Sequence, residues 1–358
     1  MILTIFIAFI SIIGLLVLHE LGHFLLAKAF NTRVDEFGIG YPPRIFGKKF
    51  GETIYSINWL PFGAFVRLPG EIEKVEDPRA FSNQSLLKRV LIIFGGVLSF
   101  WIMASIIFSI VMIMGAPTAI SDDEVGLINP KVQIALVDKN SPAEIAGLKV
   151  GDTIKSILIS EKENLIEKVS QFQKITNENK GKEITLKIES NGKTLDVKIT
   201  PRLNPPSGQG PLGIALTRTA IKSYPWYKAI YMGPETSFNV SILIIKGLFT
   251  AISNAFHGLP TGVQMTGPVG IGNMLFQATK LGANYYLNFL AMITVYLAIF
   301  NLIPIPSVDG GKLLFLSIEA IRRKPISAQI EQKITVTVFS FLLLIMLFVT
   351  VKDIINLF

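Results

Sequence analysis

No cysteine occurs among the 358 residues, so neither a disulfide framework nor a thiolate metal site is open to this chain. Histidine is nearly as scarce, with three copies, and charged residues make up only 17% of the sequence. Against these shortages stand a 50% hydrophobic content and a mean hydropathy of +0.50, values outside the range of ordinary soluble domains. The composition is that of a membrane protein. A net charge of +8 invites a nucleic-acid partner, but the excess flanks apolar runs, where basic residues set topology and meet lipid headgroups. No basic stripe is interleaved with aromatics, so nucleic acid is excluded as a partner. The amino terminus has neither a basic n-region nor a small-residue cleavage site, and reads as a retained first helix rather than a signal peptide.

Four stretches have the length and apolarity of transmembrane helices: residues 1–30, 89–115, 285–306 and 334–352. Lys and Arg cluster between the first and second (Arg33, Arg44, Lys48, Lys49, Arg67, Arg79, Lys88 and Arg89 among them) and between the third and fourth (Lys312, Arg322, Arg323, Lys324, Lys333). The positive-inside rule puts both segments in the cytoplasm and the middle of the chain outside. Residues 31–88 are punctuated by glycine and proline around short apolar runs, which predicts a cytoplasmic-side, membrane-reentrant β loop and linker. Such backbone is tolerated at membrane depth only where protein or a water-filled cavity shields it.

Residues 122–217 read as one soluble, β-rich domain, with strands over 131–137, 152–159 and 212–216 and a helix over 163–176. A hairpin turn is expected at Asn191-Gly192. In residues 225–258, Asn239, Lys246, Thr250, Ser253 and His257 share one helical face, which predicts an amphipathic helix lying on the outer membrane surface. Residues 259–284 follow as a linker, and 307–333 as a cytoplasmic loop.

The chemistry is concentrated in His19-Glu20-Leu21-Gly22-His23, inside the first apolar run. Two histidines four apart on a helix present their imidazoles on one face, within reach of one metal ion, and the glutamate between them can take a proton from bound water. A zinc hydrolase needs a third protein ligand and an open position. His257, on the polar face of the interfacial helix, reads as a headgroup-facing residue. Asp309 is the better candidate. It follows the third span in Asn301-Leu302-Ile303-Pro304-Ile305-Pro306-Ser307-Val308-Asp309-Gly310-Gly311, and that span runs in the same direction as the first, ending near the same depth.

With these residues assembled, the chain resembles the site-2 proteases, intramembrane zinc metalloproteases of the bacterial RseP type. HExxH matches His19, Glu20 and His23, and NxxPxPxxDG matches Asn301, Pro304, Pro306, Asp309 and Gly310. Residues 37–42 and 60–66 resemble the family's reentrant β loop, 141–152 are similar to a bacterial PDZ signature, and 266–271 resemble the segment before the third span. The resemblance implies four transmembrane helices, a reentrant β loop and one inserted PDZ domain. It implies Zn²⁺ held by His19, His23 and Asp309, with Glu20 as the catalytic base and Asn301, Gly38, Gly40 and Pro304 in substrate binding. It further implies cleavage of single-span membrane proteins, such as anti-sigma factors or signal-peptide remnants, in the bacterial inner membrane, with a peptide ligand in the PDZ groove. The chain departs from the family at the second span, where Ser99 or Phe100 stands in place of an asparagine, and in having one PDZ domain instead of two. The rival expectations are a PDZ membrane scaffold with a vestigial metal site and, from another class, an ion or metal transporter, which four spans without inverted repeats disfavour.

Overall fold

The computed structural model describes residues 2–71, 75–138, 140–159, 162–190, 192–206, 209–259, 261 and 266–357. The chain divides into two compact units, Met1–Val111 with Pro225–Phe358, and Met112–Tyr224. In chain order, α1 (Ile2–Ala29), β1 (Glu36–Phe50), β2 (Thr53–Arg67) and α2 (Leu86–Met114) come first. The second unit holds β3 (Ala116–Ile120), β4 (Ile128–Val137), α3 (Pro142–Ile145), β5 (Thr153–Ile159), β6 (Lys162–Leu165) and α4 (Val169–Glu178). It closes with β7 (Ile184–Ser190), β8 (Lys193–Ile199) and β9 (Ile214–Lys222). The chain then returns as α5 (Trp226–Phe256), α6 (Pro268–Leu281), α7 (Ala283–Leu302), α8 (Asp309–Arg322) and α9 (Ala328–Leu357).

Among the described residues, five helices are long and apolar enough to cross a membrane. Lipid offers no hydrophobic drive to helix pairing, so close backbone contact must hold such helices together. α1 and α2 meet through glycine. A Cβ on Gly22 would fall on the Gly95 carbonyl oxygen, and one on Gly95 would lie 2.8 Å from the Gly22 carbonyl oxygen. The upper half of α1 is tied to α7 by Tyr286, whose hydroxyl bonds Ser11 Oγ at 2.7 Å.

The predicted β loop is a small sheet. β1 and β2 are both bent, so residues 36–39 lie between 54–57 on one side and 64–67 on the other, and 46–50 add a fourth segment against 53–57. β1 bends at Gly40, where φ is 76° and a Cβ would stand 2.6 Å from the Leu60 carbonyl oxygen. The buried Glu36 carboxylate accepts from Ser56 Oγ at 2.7 Å and Arg44 Nη2 at 2.6 Å, so the charge inside the sheet is paired. Phe24 of α1 packs edge-on against Phe37, ring centroids 5.4 Å apart, and seats the sheet on the helix.

Three segments differ from the sequence-based expectation. Residues 225–258, expected on the outer surface, form a continuous 31-residue helix, α5. Its buried residues Ala229, Gly233, Ser237 and Ser241 recur every fourth position. Gly233 lies against Ser109, and Ser241 Oγ accepts from Trp101 Nε1 at 3.2 Å, so half of α5 runs along α2. The expected polar face is real and exposed, but the small-residue face decides where the helix packs. The expected linker 259–284 contains α6, whose first turn is capped by the Asp353 carboxylate accepting from Gly270 N–H at 2.7 Å. The expected loop 307–333 contains α8.

In the second unit, the sheet runs β3-β9-β4-β5-β7-β8, with β6 paired to β5. Val132, Ile134, Ile154, Ile157, Phe172, Leu186 and Leu212 form its buried core. The helix expected over 163–176 begins only at Val169, because residues 162–165 pair with β5. The last strand is longer than expected and gains β3 as a partner. Ser190 and Lys193 pair across the hairpin; of the turn itself, Asn191 lies outside the described residues and Gly192 has φ 75°. The 141–152 motif has a physical basis. Ser141 caps α3 by accepting Glu144 N–H at 3.1 Å, and Asp152 accepts Lys149 N–H at 2.8 Å.

The Asp122 carboxylate accepts the Ser170 and Val169 amides at 2.7 and 3.0 Å and so caps α4 from a distant segment. Burial works against its charge, but these bonds outweigh burial and hold its pKa below the ordinary value. A depressed carboxylate stabilises the fold above its unfolded pKa, and the gain disappears as pH falls through the folded one. Asp122→Ala therefore costs about 1 kcal/mol at neutral pH, as lost helix caps do. In thermal melts, the gap between variant and wild type narrows once the pH drops below about 4.

Candidate metal centre

The helical spacing of α1 brings His19 and His23 together as expected, with their Nε2 atoms 3.3 Å apart. Asp309 Oδ2 lies 3.3 Å from each of them. His23 Nδ1 donates to the Ile92 carbonyl at 2.9 Å, which places its proton on Nδ1 and leaves the Nε2 lone pair facing inward. Asp309 Oδ2 is buried without a hydrogen-bond partner. Three lone pairs meeting in a buried triangle repel one another unless a cation sits among them. Tetrahedral zinc with ligand bonds of 2.0–2.1 Å requires ligand-to-ligand edges of about 3.3 Å, so this donor set fits that ion. Among the described residues, these three form the group able to hold a metal.

The path of the backbone explains how Asp309 arrives. After α7, the Pro304–Pro306 turn folds back so tightly that a Cβ on Gly311 would lie 2.6 Å from Pro306 Cα. α8 then starts at Asp309, where the positive end of the helix favours a carboxylate. α8 is fixed by an ion pair between Glu319 and Arg89 of α2. Leu316 adds to that anchor by joining the apolar cluster of Ala27, Val34, Ile92 and Ile93. Ile92 thus contributes a carbonyl to His23 and a side chain to the core beneath α8.

Glu20, His23 and Asp309 line one cavity of about 410 Å³. Phe65 and Val66 of the sheet form another wall, and Lys312 and Glu71, joined as an ion pair, lie on it too. Residues 64–67 pair with 36–39 on one side only, and no described strand covers the other. The Arg67 carbonyl accepts Asp35 N–H at 3.0 Å. By the two-residue period of a strand, Phe65 and Arg67 direct their backbone groups into the sheet, whereas Ala64 and Val66 direct theirs outward.

The remaining predicted residues are not gathered here. Asn301 donates from Nδ2 to the Leu297 carbonyl at 2.8 Å within its own helix, and neither it nor the exposed Pro304 lines the cavity. Gly38 and Gly40 lie inside the sheet, where a Cβ on Gly38 would strike the Phe65 ring. His257 is exposed, and its Nδ1 donates to Ser253 at 2.7 Å. Sequence reasoning missed Gly96, although the glycine pair in the charge-free second span was its signal. A Cβ there would fall on His23 Nε2 and lie 2.6 Å from His19 Cε1. Of the two residues at the family asparagine's place, Phe100 stacks on His19 while Ser99 Oγ donates to the Gly96 carbonyl at 2.6 Å.

The profile of Peptidase family M50 matches residues 7–346. The chain belongs to that family. The M50 chain is 33% identical over 351 residues to a Clostridium perfringens protein named a candidate zinc metalloprotease, with 97% of each covered. It is 30% identical to the Bacillus subtilis regulator of sigma-W protease RasP, covering 98% of both chains. With the zinc metalloprotease RasP of Oceanobacillus iheyensis it shares 27% identity, over 99% of this chain and all of the relative. M50 membership makes it a metallopeptidase, and the buried His-His-Asp set is a group that could hold its metal ion.

Gly96→Ala tests the geometry. The added methyl occupies the space between the two imidazoles, so zinc retention falls by at least about tenfold, the scale seen when a ligand's surroundings are disturbed. Metal analysis of the purified variant checks this, with circular dichroism reporting an unchanged helix content.

Proposed function

We propose that this chain is a zinc-dependent intramembrane endopeptidase that cuts single-span membrane proteins, such as anti-sigma factors or signal-peptide remnants. One observation carries the reading. Glu20 and two members of the triangle, His23 and Asp309, line the same cavity as an unpaired strand edge, and His19 stands behind them against both. A bound zinc ion would supply Lewis acidity and lower the pKa of its water toward 7. Glu20 takes the proton from the attacking water and returns it to the leaving amide nitrogen. A helical substrate shields its carbonyls, so the scissile segment must be extended first. The outward backbone groups of Ala64 and Val66 pair with it as an added strand, which holds the carbonyl beside Glu20.

The topology behind this reading is four crossings, with the amino terminus outside. α5 enters beside the outer half of α2. Yet α7 begins near Ile7 and Ser11 of α1, at that same outer end. The stretch from the start of α5 to the start of α7 thus begins and ends at the outer end of the bundle and adds no net crossing. The enzyme then resides in the bacterial cytoplasmic membrane. Its β domain, read as a single PDZ domain, lies outside and selects substrates whose ectodomains have already been trimmed. The name regulator of sigma-W protease, borne by the Bacillus subtilis relative, supports membrane-bound regulators of transcription as substrates. An inactive scaffold has no use for a carboxylate poised in the metal cavity, which disfavours that alternative.

Two experiments bear on this reading, both with a tagged single-span substrate co-expressed. Glu20→Gln retains zinc and loses cleavage by about 10²–10⁴-fold, the usual contribution of a general base; unchanged cleavage would exclude the mechanism. Val66→Pro removes an outward N–H without touching the inner ladder. It keeps metal and fold but cleaves poorly, and full activity in immunoblots would show that the edge does not hold substrate.

A further inference from the structure

The two histidine ligands are held by different means. His23 is fixed through its outer nitrogen, which donates to the Ile92 carbonyl at 2.9 Å. The corresponding nitrogen of His19, Nδ1, is buried and makes no hydrogen bond to any described residue. The Gly96 carbonyl lies beside it, but no hydrogen bond of ordinary geometry forms between them, and that carbonyl's close contact is with Ser99 Oγ, which donates to it at 2.6 Å. A ligand of this kind would ordinarily be free to rotate about its side-chain bonds, carrying Nε2 off the metal position. What meets its face is Phe100. The two rings lie 4.5 Å apart between centroids with their planes 18° from parallel. Phe100 is 1% exposed and locked in the packed interior of α2, so it cannot turn aside to let the imidazole tilt.

We propose that Phe100 is the positioning residue of His19: its fixed ring does for this ligand what the Ile92 carbonyl does for His23, setting the imidazole plane so that Nε2 faces His23 and Asp309. Stacked aromatic pairs are attractive beyond simple burial, and losing an outer partner that orients a metal ligand typically costs about tenfold or more in metal affinity. The proposal rests on the three-ligand centre described above and goes beyond it, because it assigns the rigidity of that centre to a residue with no donor atom.

The test uses the purified full-length chain in detergent, with cobalt(II) as both ligand and reporter and a chromophoric chelator as competitor. Phe100→Leu is expected to bind cobalt about tenfold more weakly and to shift the visible d–d absorption, which reports ligand geometry. Phe108→Leu is the control. Phe108 is equally buried on the same helix and has no aromatic contact with either histidine, so its loss lowers thermal stability but leaves affinity and spectrum as in the wild type. Phe100→Tyr keeps the ring plane and is expected to restore affinity to near the wild-type value. The proposal is overturned if Phe100→Leu matches the wild type in affinity and spectrum, or if Phe108→Leu weakens cobalt binding to the same extent. Should Phe100→Leu fail to fold, Phe100→Met takes its place, and equal affinity of the Met and Tyr variants overturns the proposal. His23→Ala separates this question from the metal centre itself. If it binds cobalt as well as the wild type does, the centre is wrong; if it does not while Phe100→Leu does, the centre stands and the role of Phe100 falls.

Discussion

Everything in the membrane unit is arranged around a repulsion. Two imidazole nitrogens and a carboxylate oxygen are driven to within 3.3 Å of one another in surroundings where a polar group without a partner costs several kcal/mol. Such a triangle persists only because stronger packing imposes it and because a cation can resolve it. The packing is visible. Gly22 and Gly95 let α1 and α2 touch, Ile92 anchors His23, and the Arg89–Glu319 pair with Leu316 pins α8 so that Asp309 cannot retreat. The three candidate ligands are thus set at the spacing a metal ion needs by the helices packed around them.

The sheet of β1 and β2 solves a second electrostatic problem. Backbone that enters a membrane must find partners for its amides; in this sheet the bent strands pair with each other, leaving 64–67 and 46–50 as its two edges. The buried Glu36 is answered by Ser56 and two arginines. One of these edges, 64–67, forms part of the cavity wall. A defect that elsewhere would invite aggregation thus faces the cavity, where the proposed function calls for an extended chain.

The gathering of the candidate site residues was legible from sequence because such residues are costly in an apolar setting. His19, Glu20, His23 and Asp309 stand out by charge, spacing and direction of span. Gly96 and Phe100 did not stand out, because one contributes only empty space and the other an apolar ring, in a segment already rich in both. The glycines and prolines of residues 31–88 announced turns, but the flanking of 36–39 by two separate stretches of β2 is set by pairing between distant residues, which no local pattern encodes. α5 illustrates a conflict of signals. Its polar face pointed to a surface helix, while Ala229, Gly233, Ser237 and Ser241 formed a second periodic stripe that packs on α2. Short elements such as β3, β6, α6 and α8 were hidden because tertiary partners, including the Asp353 cap on α6 and the pairing of β6 with β5, stabilise them more than their own composition does.

If the one-sided edge at residues 64–67 holds substrate as proposed, it carries a consequence for selectivity. Two residues there, Ala64 and Val66, turn their backbone groups outward, and amides and carbonyls are common to every polypeptide. An edge of that kind recognises a shape, the extended chain, and is nearly indifferent to the letters it is written in. Discrimination then moves away from the enzyme's contacts and into the substrate's own helix, whose resistance to unwinding becomes the quantity selected. Under this logic a membrane segment is vulnerable in proportion to how cheaply its helix opens, and one residue that loosens a turn can mark it for destruction as effectively as any recognition sequence.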